Sequence, residues 1–543
     1  MKASRLLAGL ALAGLVASIG CFDRDLTDIR PGTTTGVTIR VEQIGIVEVD
    51  IVVLVDNSGS MAQEQAQLAA RFRDLINELV NPTIDSVTGR PEHPPVEDLN
   101  IGVISSDMGT MDHVVSTCSN SSIGDNGCFR STSSVSGCSS SYPTFLSRNE
   151  DNAGTYTPDQ MATDFACIAE LGTRGCGFEQ QLKAMRQATT TNVVAGGCNA
   201  GFLRTSSLIA LIFVTDEEDC SVRPDHREMF DQDRTDLGHL NIRCFAHPEF
   251  VEPWEEYVTA FRSLRPAEEQ EKIVLGMIIG VPPDAPQCIG PGDELTGCLA
   301  VPAMAEMVDP ATPSQLVPSC NTSMGLAFPP RRFIQVAQAF GDSAYVDSIC
   351  KPEWNDAISG ITDKLVERLP STCFPRALTF DQTTCDADCQ VIETLNDTRD
   401  CPFDPSCPDC PPATLDEIHN LASCTNGGVP CEPLKRNLGT ILYSDGTERR
   451  LCLIRQANRT SDGTTCQPPT AGNEGWFYTP EAQSEEHCPQ VTFSIGSTGS
   501  LVDNGSTAEL RCLSELCPAD RVCGSACCRD TEICSGDVCV PAT

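Results

Sequence analysis

Four short, almost continuously apolar runs, at 51–55, 101–104, 208–214 and 273–279, alternate with amphipathic segments between about residues 50 and 370. A strand that is apolar on both faces must be covered on both, so the pattern predicts an α/β fold with a mainly parallel sheet between helical layers. The helical segments repeat apolar residues at a spacing near 3.6: Leu68, Phe72, Leu75, Ile76 and Leu79; Phe178, Leu182 and Met185; Trp254, Tyr257, Val258 and Phe261; Phe333, Val336, Ala337 and Phe340; Trp354, Ile358, Ile361, Leu365 and Leu369. Three long Cys-bearing insertions, at 107–170, 217–253 and 282–330, interrupt the alternation, each just past the carboxyl end of a strand. That edge of an open α/β sheet carries the binding site, so the insertions are expected to wall it or cap it.

With 543 residues the chain should hold several domains. Residues 1–20 read as a secretory signal, with Lys2 and Arg5 ahead of an apolar core too short to span a bilayer. The signal ends Ser18-Ile19-Gly20-Cys21, which resembles a bacterial lipobox and predicts lipidation of Cys21; ordinary cleavage after Gly20 is the alternative. Cysteine parity supports the lipobox, because acylating one of 31 Cys leaves an even number to pair in an oxidising compartment. Residues 21–45, polar and Thr/Gly-rich, are expected to be a tether, and 46–370 the α/β domain. Residues 371–510, rich in Pro, Gly, Thr and Cys, read as a disulfide-stapled, β-rich module, and 511–543 as a small knottin-like tail too short to fold without staples. The formal charge of 37 − 75 = −38, with no basic stripe, excludes nucleic acid as a natural partner. The membrane is expected to be met only through the lipid anchor.

Chemistry concentrates where the first apolar run ends, in DNSGSM. Asp56, Ser58 and Ser60, at i, i+2 and i+4 of one loop, place a carboxylate and two hydroxyls where they can converge on a hard cation such as Mg2+ or Ca2+. Further on, LGTRGCGFEQQL sets Thr173 in a Gly-rich turn ahead of a helix, and ALIFVTDEEDCS ends a strand at Asp216. The three segments, in this order and context, resemble the von Willebrand factor A (VWA) domain and its metal-ion-dependent adhesion site (MIDAS). The resemblance covers about residues 46–370 apart from the insertions, and within it the chain looks like the Cys-rich VWA lipoproteins of Gram-negative envelopes.

The resemblance implies a Rossmann-like VWA fold and a divalent cation, Mg2+ or else Ca2+ or Mn2+, held directly by Ser58, Ser60 and Thr173, or by Thr173 in only one of two states, and through waters by Asp56 and Asp216. A cation met mainly by neutral hydroxyls favours an added anionic oxygen, so the implied partner is a protein or surface ligand presenting an acidic residue. Asp107, Glu217 and Asp219 are expected near the site as possible outer residues, although the family often has Gly where this chain has Glu217. Cys176 and Cys220 beside two of these loops suggest bracing disulfides. The implied function is adhesion by a lipid-anchored protein at the outer membrane or cell surface. The alternatives are a disulfide-hardened structural protein with a purely structural metal, and a secreted hydrolase acting through the region after Cys373. Neither G-x-S-x-G nor H-E-x-x-H occurs, and no His sits in a nucleophile–base pattern, so no enzyme is expected. DNSGSM also admits a plain reading, a strand-to-helix turn with a serine as helix cap. CPDC at Cys407 and Cys410, with Cys401 and His419 near in sequence, has partial zinc spacing that in an exported chain more often belongs to disulfides.

Overall fold

A computed structural model describes residues 34–42, 48–84, 93, 95–149, 151–205, 207–323, 325–369 and parts of 378–541. The proposed signal peptide, Cys21, and the segment holding Cys407, Cys410 and His419 lie outside the described residues. The first described strand is β1 (Thr34–Glu42). After it come β2 (Glu48–Val55), α1 (Ala62–Val80), β3 (Asp98–Ser105), β4 (Leu146–Arg148), α2 (Pro158–Ala169) and α3 (Gln181–Arg186). Next are β5 (Leu208–Val214), α4 (Trp254–Arg262), β6 (Ile273–Ile279) and β7 (Gly290–Pro291). A small hairpin, β8 (Cys320–Thr322) and β9 (Gly325–Ala327), precedes α5 (Arg331–Phe340), β10 (Ala344–Ser348) and α6 (Asn355–Val366).

Seven strands form one sheet in the order β4-β3-β2-β5-β6-β10-β7. The five inner strands are parallel and only the edge strands β4 and β7 run antiparallel. Alternate residues of β2 enter different cores, which is why the run reads as apolar throughout. Val49, Ile51, Val53 and Val55 pack under α1, α2 and α6 with Phe72, Phe165 and Trp354. Val52 and Leu54 pack with Leu182, Tyr257, Phe261 and Phe333 from α3, α4 and α5. Phe72 of α1 stacks on Phe165 of α2 with ring centroids 3.9 Å apart. The predicted sheet between helices is therefore present. Strands 208–214 and 273–279 have the expected bounds, and α2 and β10 are additions that the apolar pattern did not reveal.

A five-stranded antiparallel sheet lies beyond this domain, in the order β1, Thr507–Glu515, Cys389–Thr394, Glu448–Ile454, Lys435–Leu442. Two of its strands join or run across the expected divisions. The 21–45 tether contains a strand, β1, because 36–42 alternates apolar and polar residues at period two and can add to a sheet edge. The boundary at 510/511 cuts through the strand that pairs with β1. The tail adds two short ladders, Val522–Cys523 with Ala526–Cys527 and Glu532–Ser535 with Val538–Pro541; its disulfide connectivity lies outside the described residues. The module touches the α/β domain at the turn before β6. There Arg449 Nη1 meets Glu269 Oε1 at 2.8 Å, and the Ser444 hydroxyl bonds Glu268 Oε2 and the amide of Ala267. That turn is at the amino end of β6, the opposite sheet edge from the candidate site.

Disulfides staple the insertions. Cys138–Cys167 closes a loop within the first, onto α2, and Cys118–Cys176 and Cys128–Cys198 tie it to the segment carrying α3. Cys220–Cys244 closes the second, while Cys288–Cys298 and Cys320–Cys350 hold the third. Among the described residues no helix is long and apolar enough to cross a membrane.

Candidate functional site

Parallel, in-register strands set up the site. Val55 of β2 lies opposite Val214 of β5, so the residues following each emerge side by side, and the Asp56 amide bonds Val214 O at 3.0 Å. The insertions after β3, β5 and β6 leave from this same carboxyl edge, as expected for parallel strands. Asp56 is fully buried. Its Oδ1 accepts the Ser58 amide (2.8 Å) and the Ser106 hydroxyl (3.3 Å), and its Oδ2 accepts the Thr215 hydroxyl (2.7 Å). The Ser58 and Ser60 hydroxyls lie 3.2 Å apart, and the Ser60 side chain acts to lower the Asp216 carboxyl. Neither serine caps α1, whose first turn has no side-chain cap, so the plain turn-and-cap reading does not describe this loop.

The Thr173 loop is held against DNSGSM on both sides. The Gln65 amide group donates to Asp56 O (2.8 Å) and Gly172 O (3.1 Å), while its Oε1 accepts the Gly172 amide (3.0 Å). The Gly175 amide donates to Asn57 O at 2.8 Å. Asp56, Ser58, Ser60, Asp216 and the loop bearing Thr173 are thus brought together from three remote segments. The fit between Gly175 and Asn57 leaves no room for a side chain, since a Cβ there would stand 2.0 Å from Asn57 Oδ1. Gly175→Ala is expected to push the Thr173 loop outward, at an overpacking cost of about 1–3 kcal/mol. Thermal unfolding together with cation titration checks this; unchanged values in both would show that the loop's seat does not matter.

The outer candidates divide. Asp107 Oδ1 accepts the Gly109 amide at 2.8 Å, which commits it to its own turn. Asp219 accepts the Leu182 amide (2.8 Å) and the Ser221 hydroxyl (2.7 Å), and pairs with Arg332 at 3.1 Å. Glu218 accepts the Arg332 amide at 2.9 Å. Of the acidic run, Glu217 alone is pushed up by the charges of both Asp216 and Asp56, after burial. Two further buried carboxylates, absent from the sequence reading, join the cluster: Glu64 on α1 and Glu179 before α3. Glu64 lies one helical turn after Ser60, a spacing that could have flagged it; nothing local singles out Glu179.

Negative charge here is poorly balanced. Burial, then the Asp56 charge, pushes Asp216 up to about 7, against the Ser60 hydrogen bond. Burial also raises Asp56 in spite of bonds from Thr215, Ser58 and Ser106. Glu179 and Glu217 are held well above the ordinary range, by burial first and then by neighbouring carboxylates, and Glu64 is raised by burial with Asp56 adding to it. Asp216 Oδ1 and Glu64 Oε2 are buried without hydrogen-bond partners among the described residues. Among the described residues no set of three or more His, Cys, Asp or Glu is placed to hold one ion. A cation would therefore depend on hydroxyl oxygens beside the carboxylates. Ser58, Ser60 and Asp216 offer that donor set, and hydroxyl and carboxylate oxygens suit a hard divalent ion.

Access is one-sided. The β8–β9 hairpin closes over Glu64, where a Cβ on Gly325 would stand 2.3 Å from Oε1, and the Phe328 amide bonds Asp216 O at 2.8 Å. On the other side Gly59, Ser60, Gly172 and Arg174 are exposed.

No family model matches this chain, and no curated protein matches it. Among solved structures it is similar to the pilus adhesin RrgA from Streptococcus pneumoniae, at 12% identity and a TM-score of 0.19, over 89% of this chain and 63% of the adhesin. The chain thus spans less than two thirds of that adhesin's length, and a TM-score of 0.19 carries no argument about fold or function.

Proposed function

We propose that the α/β domain is of the VWA type and that the protein is a lipid-anchored surface adhesin, binding an acidic group of a partner through a MIDAS divalent cation. One observation carries the reading. A buried, unpartnered Asp216 oxygen and two serine hydroxyls 3.2 Å apart sit at a sheet edge with an exposed rim. Asp56 orients the loop through its amide and hydroxyl bonds, Gln65 and Asn57 hold the loop that bears Thr173 against it, and Asp216 would supply charge. The bound cation, Mg2+ or else Ca2+ or Mn2+, would supply an electron-poor point for a foreign carboxylate. The disulfides fit an exported protein. Lipidation at Cys21 would tether it, with the β-rich module at the amino edge of the sheet and the site facing away.

Calorimetric titration of Mg2+, Ca2+ and Mn2+ into the purified chain and into Asp56→Asn tests the centre. Losing an orienting carboxylate is expected to weaken cation binding by about 10–100-fold. Equal affinities for the two proteins would sink the proposal. Adhesion itself is read by pulldown from envelope fractions with Mg2+ or EDTA, where identical partner sets would argue against a metal bridge.

The hairpin over Glu64 favours a second reading, a structural cation that only ties loops together. Such an ion would stabilise the fold yet retain no acidic peptide.

A further inference from the structure

The rim of the site carries a basic side chain that none of the described residues neutralises. Arg174 follows Thr173 directly, is exposed, and has no hydrogen-bond or ion-pair partner among the described residues. Several other arginines on the insertions and α5 are matched: Arg223 pairs with Asp225, Arg227 with Asp112, and Arg332 with Asp219. In a chain with net charge −38, an arginine beside a cluster of carboxylates would be expected to fold back onto them. The backbone on either side of it is fixed instead. Gly172 is bonded to Gln65, Gly175 to Asn57, and Cys176 is crosslinked to Cys118. A guanidinium on a held loop next to the proposed cation is suited to grip a planar carboxylate through two parallel N–H bonds.

We propose that Arg174 reads the partner's second acidic group, so that the site prefers a peptide segment with two neighbouring acidic side chains to one with a single acid. One carboxylate meets the cation and the next meets Arg174. This rests on the metal-bridged reading above and narrows its ligand class. Free carboxylates of small acids would gain little, because they cannot span both points. The chain's overall negative charge repels acidic peptides in general, which makes a local positive contact more discriminating.

The test uses the whole purified chain with Mg2+ and two fluorescent peptides that differ only in carrying one Asp or two adjacent Asp in a Gly/Ser background, read by anisotropy. The expected result is about 10-fold tighter binding of the two-acid peptide by the wild type, the size of one charge-assisted contact. R174Q should erase the preference, R174K should restore part of it, and R174E should reverse it. A preference that persists in R174Q overturns the role of Arg174 while leaving the metal bridge intact. Binding of both peptides that is insensitive to EDTA and to D56N overturns the metal bridge instead. Failure of the wild type to bind either peptide overturns both.

Discussion

Stripped of divalent cations, the protein is expected to lose stability as the pH rises from about 4 to 7, the reverse of ordinary acid denaturation. The direction follows from the buried carboxylates. Asp216 titrates near 7 in the fold but near 3.8 when unfolded, so between these values the folded state holds more protons. Its contribution is full below the unfolded value and disappears as the pH passes through the folded one. For Asp216 alone this is on the order of 4 kcal/mol, and Asp56, Glu64, Glu179 and Glu217 are shifted in the same sense. Carboxylates shifted downward, such as Asp236 at about 2, act mostly below this window. A divalent cation keeps the cluster ionised, so the stabilisation it adds should grow across the same pH range. Thermal unfolding at stepped pH, in EDTA and in Mg2+ or Ca2+, checks both halves. A metal-free protein that gains stability steadily from pH 4 to 7 would show that these carboxylates are not electrostatically frustrated.

The second large effect lies at the opposite end of β2. Asp50 is fully buried and accepts four bonds: Arg204 Nε (2.9 Å), Nη2 (2.7 Å) and amide (2.9 Å), and the Ser207 hydroxyl (2.6 Å). Arg265 joins through Ser207 O and Oγ, and Arg204 also pairs with Asp98. This network pins the loop entering β5 to the amino ends of β2 and β3. Asp50→Ala leaves Arg204 with Asp98, Glu48 and the Val49 carbonyl but takes the acceptor from its Nε and its backbone amide, and breaking such a buried pair typically costs about 3–5 kcal/mol. Chemical denaturation should show that loss with an unchanged slope. A fall below about 1 kcal/mol would place the network with ordinary surface pairs. Because β2 delivers Asp56 from its other end, cation affinity is expected to weaken in the same variant only as the fold loosens.

What could be read from the residues divides along physical lines. Strand–helix alternation is a local hydrophobic signal, and runs such as 208–214 and 273–279 gave their strands outright because burial on both faces leaves no polar position. Helix α2 was hidden in a Cys-rich insertion, although Thr157 and Pro158 mark its start. The five-residue β10 ends in Asp347 and Ser348 and carries too little apolar signal to stand out. Strand β1 was read as tether because its pairing partner lies more than 450 residues along the chain.

The candidate centre splits the same way. Asp56, Ser58 and Ser60 were legible because i, i+2, i+4 spacing in one loop is a local fact, and Thr173 and Asp216 because each closes a recognisable strand or turn. Tertiary structure alone could place Glu64 and Glu179 in the cluster and commit Asp107 and Asp219 to backbone and Arg332. It alone could draw the β8–β9 hairpin over one side of the site and leave Arg174 unmatched among the described residues on the other. Sequence fixes which groups a loop carries. Whether a carboxylate stands alone, paired or crowded depends on what long-range packing brings beside it, and charge interactions in a buried site depend on that neighbourhood far more than on position along the chain.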